Sequence, residues 1–300
     1  MRATDRIGGA SAPKRVGAKG APATRRGPSL RIALLWTAAL VALAVTLFPF
    51  YWMLNTSLKP MPEVFASPPT FVSAQWSLDA YATIFATRPV ARYFVNSLVV
   101  AVGSTLLSVS LSALAAYGLT RFFPRGATPF VMFLLFTKML PETLLIIPYF
   151  KLMSDLGLLN TYWALILAYS SFSLPFSVWM LIGFFRSIPR EIDEAAQMDG
   201  AGVFQTFRRV VLPLARPGLV AVALFTFLIA WNSYVWALVL TTDASMFVMS
   251  VGIANMVGEY RVQWNELMAA AVVAAVPVMV LYAFLERHLV AAITAGAVKG

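Results

Sequence analysis

The chain has 300 residues, of which 60% are hydrophobic and only 12% are charged, with a formal net charge of +10. Soluble domains contain roughly 45–50% apolar residues, so this composition indicates an integral membrane protein. Cysteine is absent, which excludes disulfides, thiolate catalysis and cysteine-ligated metal sites. The positive charge does not favour a nucleic-acid binder, because no basic face is combined with aromatic stacking residues.

The first 29 residues are rich in Ala, Gly, Pro, Lys and Arg, and Asp5 is their one acidic residue. A segment with so few bulky apolar side chains cannot bury enough surface to fold by itself. We therefore expect residues 1–29 to form a disordered basic tail, followed by a transmembrane domain over residues 30–300.

Six apolar runs follow the tail, each close to the ~20 residues that cross a bilayer as a helix. The runs are too long and too uniformly apolar for barrel strands, which are ~10 residues of alternating pattern. The sequence predicts an all-α membrane protein with six transmembrane helices. The six runs are Ile32–Leu54, Phe94–Gly118, Phe130–Phe150, Tyr162–Phe185, Leu219–Leu240 and Leu267–Leu285.

Basic residues concentrate in alternate connections. They precede the first run, follow the second at Arg121 and Arg125, and gather again between the fourth and fifth runs. Cytoplasmic loops carry the excess of Lys and Arg. Both termini and the loop over residues 186–217 are accordingly predicted to be cytoplasmic, whereas the proline-rich connection after the first run is predicted to be an irregular external segment.

The second run contains repeated small residues, among them Gly103, Ser104, Ser108 and Ser112. Small residues allow membrane helices to approach each other closely. This run is predicted to be a helix inside the bundle.

The third run contains two ionisable residues, Lys138 and Glu142, on either side of Pro141. An ionisable residue within a membrane span is a candidate functional site, but residues spaced i and i+4 also form structural pairs. A structural pair or an anchor at the membrane rim is favoured over substrate contact, and the question stays open.

The fifth run contains a cluster of aromatic and polar residues, Trp231, Asn232, Ser233, Tyr234 and Trp236. Aromatic faces with a few polar groups are typical of small-ligand sites, and the first four residues are candidates for the substrate path. Trp and Tyr also gather at membrane interfaces, so both interpretations remain.

The loop before the fifth run is unusually polar. Ser187 is a candidate N-cap, and a short helix is predicted from there to about Asp199. Glu191 lies in its first turn, where it complements the helix dipole. Gly200 then predicts a corner.

A second amphipathic piece is predicted after this corner, with Val203, Phe204 and Phe207 on one face. Pro213 and Pro217 are expected to end it before the fifth run. Helix, glycine corner and helix together would present a slim alanine surface, flanked by charges, to a partner.

The spacing of this loop resembles the EAA loop of the membrane subunits of bacterial ABC importers, whose pattern is E-A-A-x3-G-x9-I-x-L-P. Val210 stands in place of Ile, which preserves a β-branched apolar side chain. The resemblance extends over about residues 30–300 and is to the maltose-type subfamily that imports carbohydrates. The matching positions are Glu194, Ala195, Ala196, Gly200, Val210, Leu212 and Pro213.

The resemblance implies a six-span permease that pairs with a second, homologous permease. Two copies of an ATPase subunit would dock on the EAA loops and bind ATP and Mg, so this chain would hold no cofactor itself. An extracytoplasmic solute-binding protein would deliver substrate, and the C-terminal residues 294–300 would contact the ATPases. The implied ATPase-coupling residues are Glu191, Glu194, Ala195, Ala196, Asp199, Gly200, Leu212 and Pro213.

The predicted function is therefore a transport subunit in the bacterial cytoplasmic membrane, surrounded by lipid, for ATP-driven carbohydrate import. No phosphate-binding G-x-x-x-x-G-K-[ST] motif occurs in the chain, so ATP hydrolysis is expected in a partner and not here. A permease for a glycerol phosphate or a polyol is the alternative. A self-sufficient secondary transporter is less favoured because Glu142 is its one candidate coupling acid.

Overall fold

The computed structural model describes residues 30–258 and 262–297, with side chains described up to residue 284. The predicted tail of residues 1–29 and the side chains of residues 294–300 lie outside this part of the chain. The described residues form helices and one β-bridge, between Val257 and Val262. The prediction of an all-α membrane protein is confirmed.

Fourteen α-helices are numbered in chain order. The first seven are α1 (Leu30–Ser57), α2 (Met61–Val64), α3 (Asp79–Ala86), α4 (Val90–Arg121), α5 (Pro124–Thr137), α6 (Ile146–Asp155) and α7 (Tyr162–Arg186). The others are α8 (Arg190–Met198), α9 (Val203–Thr206), α10 (Leu212–Leu214), α11 (Arg216–Asn232), α12 (Val235–Leu240), α13 (Met249–Ala254) and α14 (Trp264–Ala297). Glu142–Leu145 and Ala244–Met246 are 3₁₀ turns, and Phe207–Val211 is a π-helical turn.

Among the described residues, four helices, α1, α4, α7 and α14, are long and apolar enough to cross a membrane by themselves. The number becomes six if two bent pairs each count as one span. One pair is Pro124–Thr137 with Glu142–Asp155, bent by 82°, and the other is Val203–Leu214 with Arg216–Asn232, bent by 79°. The third predicted span is therefore broken, because Pro141 cannot continue a helix.

Residues 30–49 form a unit of their own, the first part of α1, and their side chains are exposed. Such an apolar, exposed helix suits a lipid environment. The remaining residues form a second unit whose centre is a bundle of α4, α7 and α11.

Buried serines line the contact between α4 and α7, which we call the serine seam. Ser170 Oγ donates to Ser104 O over 3.2 Å, and Ser173 Oγ donates to Ser108 Oγ over 2.9 Å. Small side chains let the two backbones approach, and their hydroxyls add polar contacts between the helices. The prediction that the second run lies inside the bundle is confirmed.

The connection between α1 and α4 is more ordered than the proline-rich sequence predicts. It contains α2 and α3, and Glu63 is its organising residue. The Glu63 carboxylate accepts hydrogen bonds from Ser73 Oγ at 2.7 Å, Thr70 Oγ1 at 3.0 Å and Ala74 N at 3.1 Å. The Ser73 hydroxyl, with the Ala74 and Thr70 groups, lowers the pKa of Glu63 below its ordinary value.

Candidate functional site

The first helix of the EAA loop, α8, begins at Arg190, directly after Pro189. Ser187 is not its N-cap, because the Ser187 hydroxyl donates backward to Phe184 O over 2.7 Å, at the end of α7. The predicted cap is therefore wrong. A residue that precedes proline is disfavoured in the α conformation, so Ile188 separates the two helices and α8 starts later.

A glycine corner ends α8, as the sequence predicts. Gly200 has φ = +85°, a left-handed conformation that strains residues with a side chain. Gly200 N donates to Gln197 O and Ala201 N donates to Ala196 O, each over 3.0 Å. These two hydrogen bonds form a Schellman motif, which satisfies carbonyls that the helix end would otherwise leave unpaired.

The two faces of α8 differ in exposure. Glu194 and Ala195 are exposed, Ala196 is half-buried, and the Met198 side chain beyond them is 88% exposed. An acidic group, two small residues and one flexible apolar side chain thus form a narrow outer surface. Asp193, on the other face, is buried.

A buried ion pair fixes α8 to the end of α4. Asp193 Oδ2 lies 2.9 Å from an Arg121 guanidinium nitrogen, and both side chains are 8% exposed. The Tyr117 hydroxyl donates to Asp193 Oδ1 over 3.1 Å, and Arg121 also donates to Ile188 O over 3.1 Å. Removing one partner of a buried pair leaves an uncompensated charge, so this contact holds α8 firmly on α4.

Sequence reasoning missed this ion pair. The sequence presents Arg121 as a topology signal and gives Asp193 no separate role. The available signal was the position of Arg121 in the last turn of α4, which brings a cation to the same end of the bundle as the loop. No local spacing connects two residues 72 positions apart.

The second piece of the loop is a helix over Val203–Leu214, with a π-helical turn at Phe207–Val211. Pro213 lies inside its last turn, and the chain bends only at Ala215, before α11. The piece thus ends at Leu214, directly after Pro213 and before the fifth run, as the sequence predicts, and Pro217 lies in the first turn of α11, where proline is tolerated.

The three residues of the predicted apolar face of this piece differ in burial. Phe207 is buried against Tyr117, with ring centroids 4.8 Å apart, whereas the Phe204 side chain is 65% exposed. Val203 is exposed as well. Leu212 is half-buried and Pro213 is exposed. One aromatic residue anchors the loop to α4, and its neighbours extend the outer surface that Met198 begins.

A second region of interest is a cleft between two helix breaks, which we call the helix-break cleft. One break separates α5 from α6, and the other separates α11 from α12. The cavity between them has a volume of about 200 Å³. Its lining residues are Lys138, Glu142, Tyr169, Phe172, Ile229, Asn232, Ser233 and Trp236.

Lys138 and Glu142 form the ion pair that their spacing predicts, with Nζ 3.0 Å from Oε1. The pair also has aromatic neighbours. Trp236 Nε1 lies 3.5 Å from Glu142 Oε2, and Lys138 Nζ lies 5.2 Å from the centroid of the Phe172 ring. The pair therefore forms part of the wall of the cleft.

The four candidate substrate-path residues of the fifth run are distributed over different environments. Asn232 and Ser233 line the helix-break cleft. Trp231 is buried in the core, where its Nε1 donates to Ala274 O over 3.1 Å and its ring stacks on Phe227. Tyr234 is 39% exposed and lies outside the cleft lining. A substrate role for any of the four stays a prediction.

The connection between α12 and α13 carries a further acid, Asp243. The Asp243 carboxylate accepts a hydrogen bond from Ser245 N over 2.8 Å, which lowers the pKa of Asp243. The adjacent Thr242 N and Asp243 N both donate to Asn160 Oδ1, over 2.7 and 2.9 Å. These hydrogen bonds join Asn160, just before α7, to the connection after α12.

The chain was compared with the sequence models of known protein families, and one family matches. Residues 108–295, which include the EAA loop, match the family described as binding-protein-dependent transport system inner membrane component. The chain belongs to this family. It is therefore a multi-pass permease.

Individual permeases resemble the chain over most of its length. It is 40% identical to the inner membrane ABC transporter permease protein YcjP of Escherichia coli, over 86% of this chain and 93% of that protein. It is 36% identical to the trehalose/maltose transport system permease protein MalG of Thermococcus litoralis, over 90% of this chain and 97% of that protein.

A solved structure shares the fold of this permease. It is the crystal structure of a bacterial ABC transporter involved in the import of the acidic polysaccharide alginate, with a TM-score of 0.75 and 23% sequence identity. The match covers 86% of this chain and 96% of the other. The long helices and broken spans described above are thus an importer permease fold.

Proposed function

We propose that this permease is a transmembrane subunit of an ATP-driven, binding-protein-dependent importer of carbohydrate. Its relatives support a sugar as cargo, since one of them is named for trehalose and maltose. The structural neighbour is described with an acidic polysaccharide. These names do not agree on whether the sugar is neutral or charged, so they support the class of solute only.

The observation that carries the proposal is the asymmetry of α8. Its outer face presents Glu194 and Ala195 to solvent, whereas its inner face is fixed to α4 through Asp193. A helix used only to connect two spans needs no such division. An exposed acid beside small side chains suits a groove with a complementary basic residue, and the charges set the register of docking.

In this proposal, two copies of an ATPase subunit bind ATP and Mg and receive α8 in such grooves. A second, homologous permease completes the pathway, and an extracytoplasmic binding protein delivers the solute. The loop and both termini lie on the cytoplasmic side of the bacterial inner membrane, where basic residues concentrate.

Movement of the ATPases would reach the bundle through α8. Because Arg121 and Asp193 are both buried, α8 and the end of α4 move together unless the pair is broken. The serine seam then connects α4 to α7. The differential affinity of the two ATPase states for the loop must supply the energy that shifts the permease between its conformations.

The test is a charge reversal on the exposed face of α8. The complete transporter is purified with its ATPase, second permease and binding protein, and reconstituted in proteoliposomes. Glu194→Lys is expected to lower solute-stimulated ATP hydrolysis and copurification of the ATPase at least tenfold, since a like charge would face the basic groove.

Asp155→Lys is the matched control, because Asp155 is also an exposed carboxylate but lies at the end of α6. We expect this variant to keep wild-type coupling. The proposal fails if Glu194→Lys retains stimulated hydrolysis and ATPase binding, or if both variants lose them equally.

A further inference from the structure

The helix-break cleft is formed where two membrane segments leave the helical conformation. Residues 138–141 separate α5 from the turn that leads into α6, and Ser233 and Tyr234 separate α11 from α12. Non-helical backbone within a membrane protein is tolerated where it is buried or borders a polar cavity. In transporters, such discontinuous helices border solute sites.

The polar groups of the cleft come from separate helices and meet at one place. The Tyr169 side chain is 2% exposed, and its hydroxyl interacts with Ser233 without forming a hydrogen bond of normal geometry. Asn232 donates one amide hydrogen to Leu228 O over 2.8 Å and is otherwise exposed to the cleft. The buried Tyr169 hydroxyl therefore keeps hydrogen-bonding capacity that a solute hydroxyl can use.

Aromatic rings also line the cleft. The Phe172 and Trp236 rings lie 4.6 Å apart between centroids, and Trp236 is buried. Carbohydrates present apolar C–H faces as well as hydroxyls, so a site for them combines aromatic faces with hydrogen-bonding groups. The volume of about 200 Å³ is smaller than the roughly 300–1,000 Å³ of pockets that enclose drug-sized ligands. It suits one sugar ring.

The charges in the cleft cancel. Lys138 and Glu142 are the charged residues of its lining, and they are paired at 3.0 Å. Their side chains remain 32% and 51% exposed, so hydroxyls can reach both. An acidic sugar would bring an uncompensated negative charge into this neutral site, next to Glu142. An unpaired charge in a partly buried site loses hydration without gaining a counter-charge, which disfavours binding.

We propose that the helix-break cleft binds one uncharged sugar ring of the transported carbohydrate, with Lys138 and Glu142 as hydroxyl partners, and that it discriminates against acidic sugars. This inference rests on the proposed function and adds a site and a solute class to it. The ion pair is a specificity determinant here and not only a structural pair.

The test is direct sugar binding to the assembled transporter without its binding protein, because the binding protein has a selectivity of its own. Saturation-transfer NMR detects weak binding of trehalose, maltose and cellobiose. Each is paired with the uronic acid obtained by oxidising one of its 6-hydroxymethyl groups. The wild type is expected to bind at least one neutral sugar at least tenfold more tightly than its acidic counterpart.

Two variants change the site in different ways. The double variant Lys138→Met/Glu142→Leu removes the hydroxyl partners and is expected to weaken neutral sugar binding at least tenfold. Glu142→Gln leaves the Lys138 charge without its partner and is expected to raise the ratio of acidic to neutral binding at least tenfold. Size-exclusion chromatography checks that both variants assemble.

Lys151→Met/Asp155→Leu is the matched control, because Lys151 and Asp155 form an exposed pair with the same i, i+4 spacing on α6. It is expected to bind sugar as the wild type does. The inference is overturned if the wild type binds no neutral sugar of the panel or prefers the acidic sugars. It is also overturned if the Lys138→Met/Glu142→Leu variant binds neutral sugar as tightly as the wild type does. Glu194→Lys then still tests the proposed function separately, through ATP hydrolysis stimulated by the solute-loaded binding protein.

Discussion

The EAA loop and the helix-break cleft both contain an acid paired with a base, but the two pairs differ in burial. The side chains of Asp193 and Arg121 are each 8% exposed, whereas those of Glu142 and Lys138 are 51% and 32% exposed. A buried pair is costly to break and fixes two elements together. An exposed pair contributes little to stability, which leaves its groups available to a solute.

The largest effect that would test this comparison is expected from Asp193→Asn. The variant leaves the Arg121 guanidinium buried without a counter-charge, so the free energy of unfolding should fall by about 3–5 kcal/mol. The measurement is unfolding of the purified transporter in increasing dodecyl sulfate, followed by circular dichroism.

Two further variants control this result. Arg121→Met/Asp193→Leu replaces the buried pair by apolar side chains and should recover most of the loss. Asp155→Asn disturbs the exposed Lys151 pair and should change the free energy of unfolding by less than about 0.5 kcal/mol. Equal effects of Asp193→Asn and Asp155→Asn would show that the buried pair does not hold the loop.

An intermediate effect is expected at the glycine corner. Gly200→Ala places a side chain at φ = +85°, which should cost about 1–3 kcal/mol of backbone strain. The strain would distort the outer face of α8, so transport should decrease together with stability. Proteoliposome uptake and the same unfolding assay measure both.

Gly202→Ala is the control for the corner, because Gly202 has φ = −67° and a Cβ there would meet no atom within 4 Å. It should behave as the wild type. If the two alanine variants are equally stable and equally active, the left-handed corner is not what shapes the loop.

The smallest stability effect is expected from Glu142→Gln, although it is the same kind of substitution as Asp193→Asn. Glu142 is half exposed, so losing its ion pair should change the free energy of unfolding by less than about 1 kcal/mol. The unfolding assay used for Asp193→Asn measures it. A loss as large as that of Asp193→Asn would mean that the cleft pair is structural.

The sequence predicted the loop better than the cleft because the loop is specified by neighbours in the chain. A proline, a run of good helix formers and a glycine define α8 over about a dozen residues, and the corner at Gly200 follows from glycine's conformational freedom. Two local preferences conflict before α8. Ser187 is a good N-cap, but Pro189 disfavours the α conformation at Ile188, and α8 therefore starts at Arg190.

The cleft could not be predicted in the same way. Lys138, Tyr169 and Asn232 lie far apart in sequence and meet only because α5, α7 and α11 pack side by side and two of these spans break. Hydropathy counts the third and fifth runs as complete spans and does not register the breaks. The polar residues of these two runs are evident in the sequence, but which of them meet in space depends on helix packing.

The EAA loop is attached to the bundle in two ways of different kind. Through Arg121 it is joined to α4 by a noncovalent contact, and through the bend at Ala215 it continues as α11 in the same chain. Under the proposed function, a push on α8 is shared between two spans that both border the centre of the bundle. A single substitution can weaken the noncovalent connection to α4, whereas the covalent connection to α11 stays. Variants at Asp193 should therefore weaken the response of α4 to the ATPase, with the Phe207–Tyr117 contact remaining, and leave the covalent path to α11 unchanged.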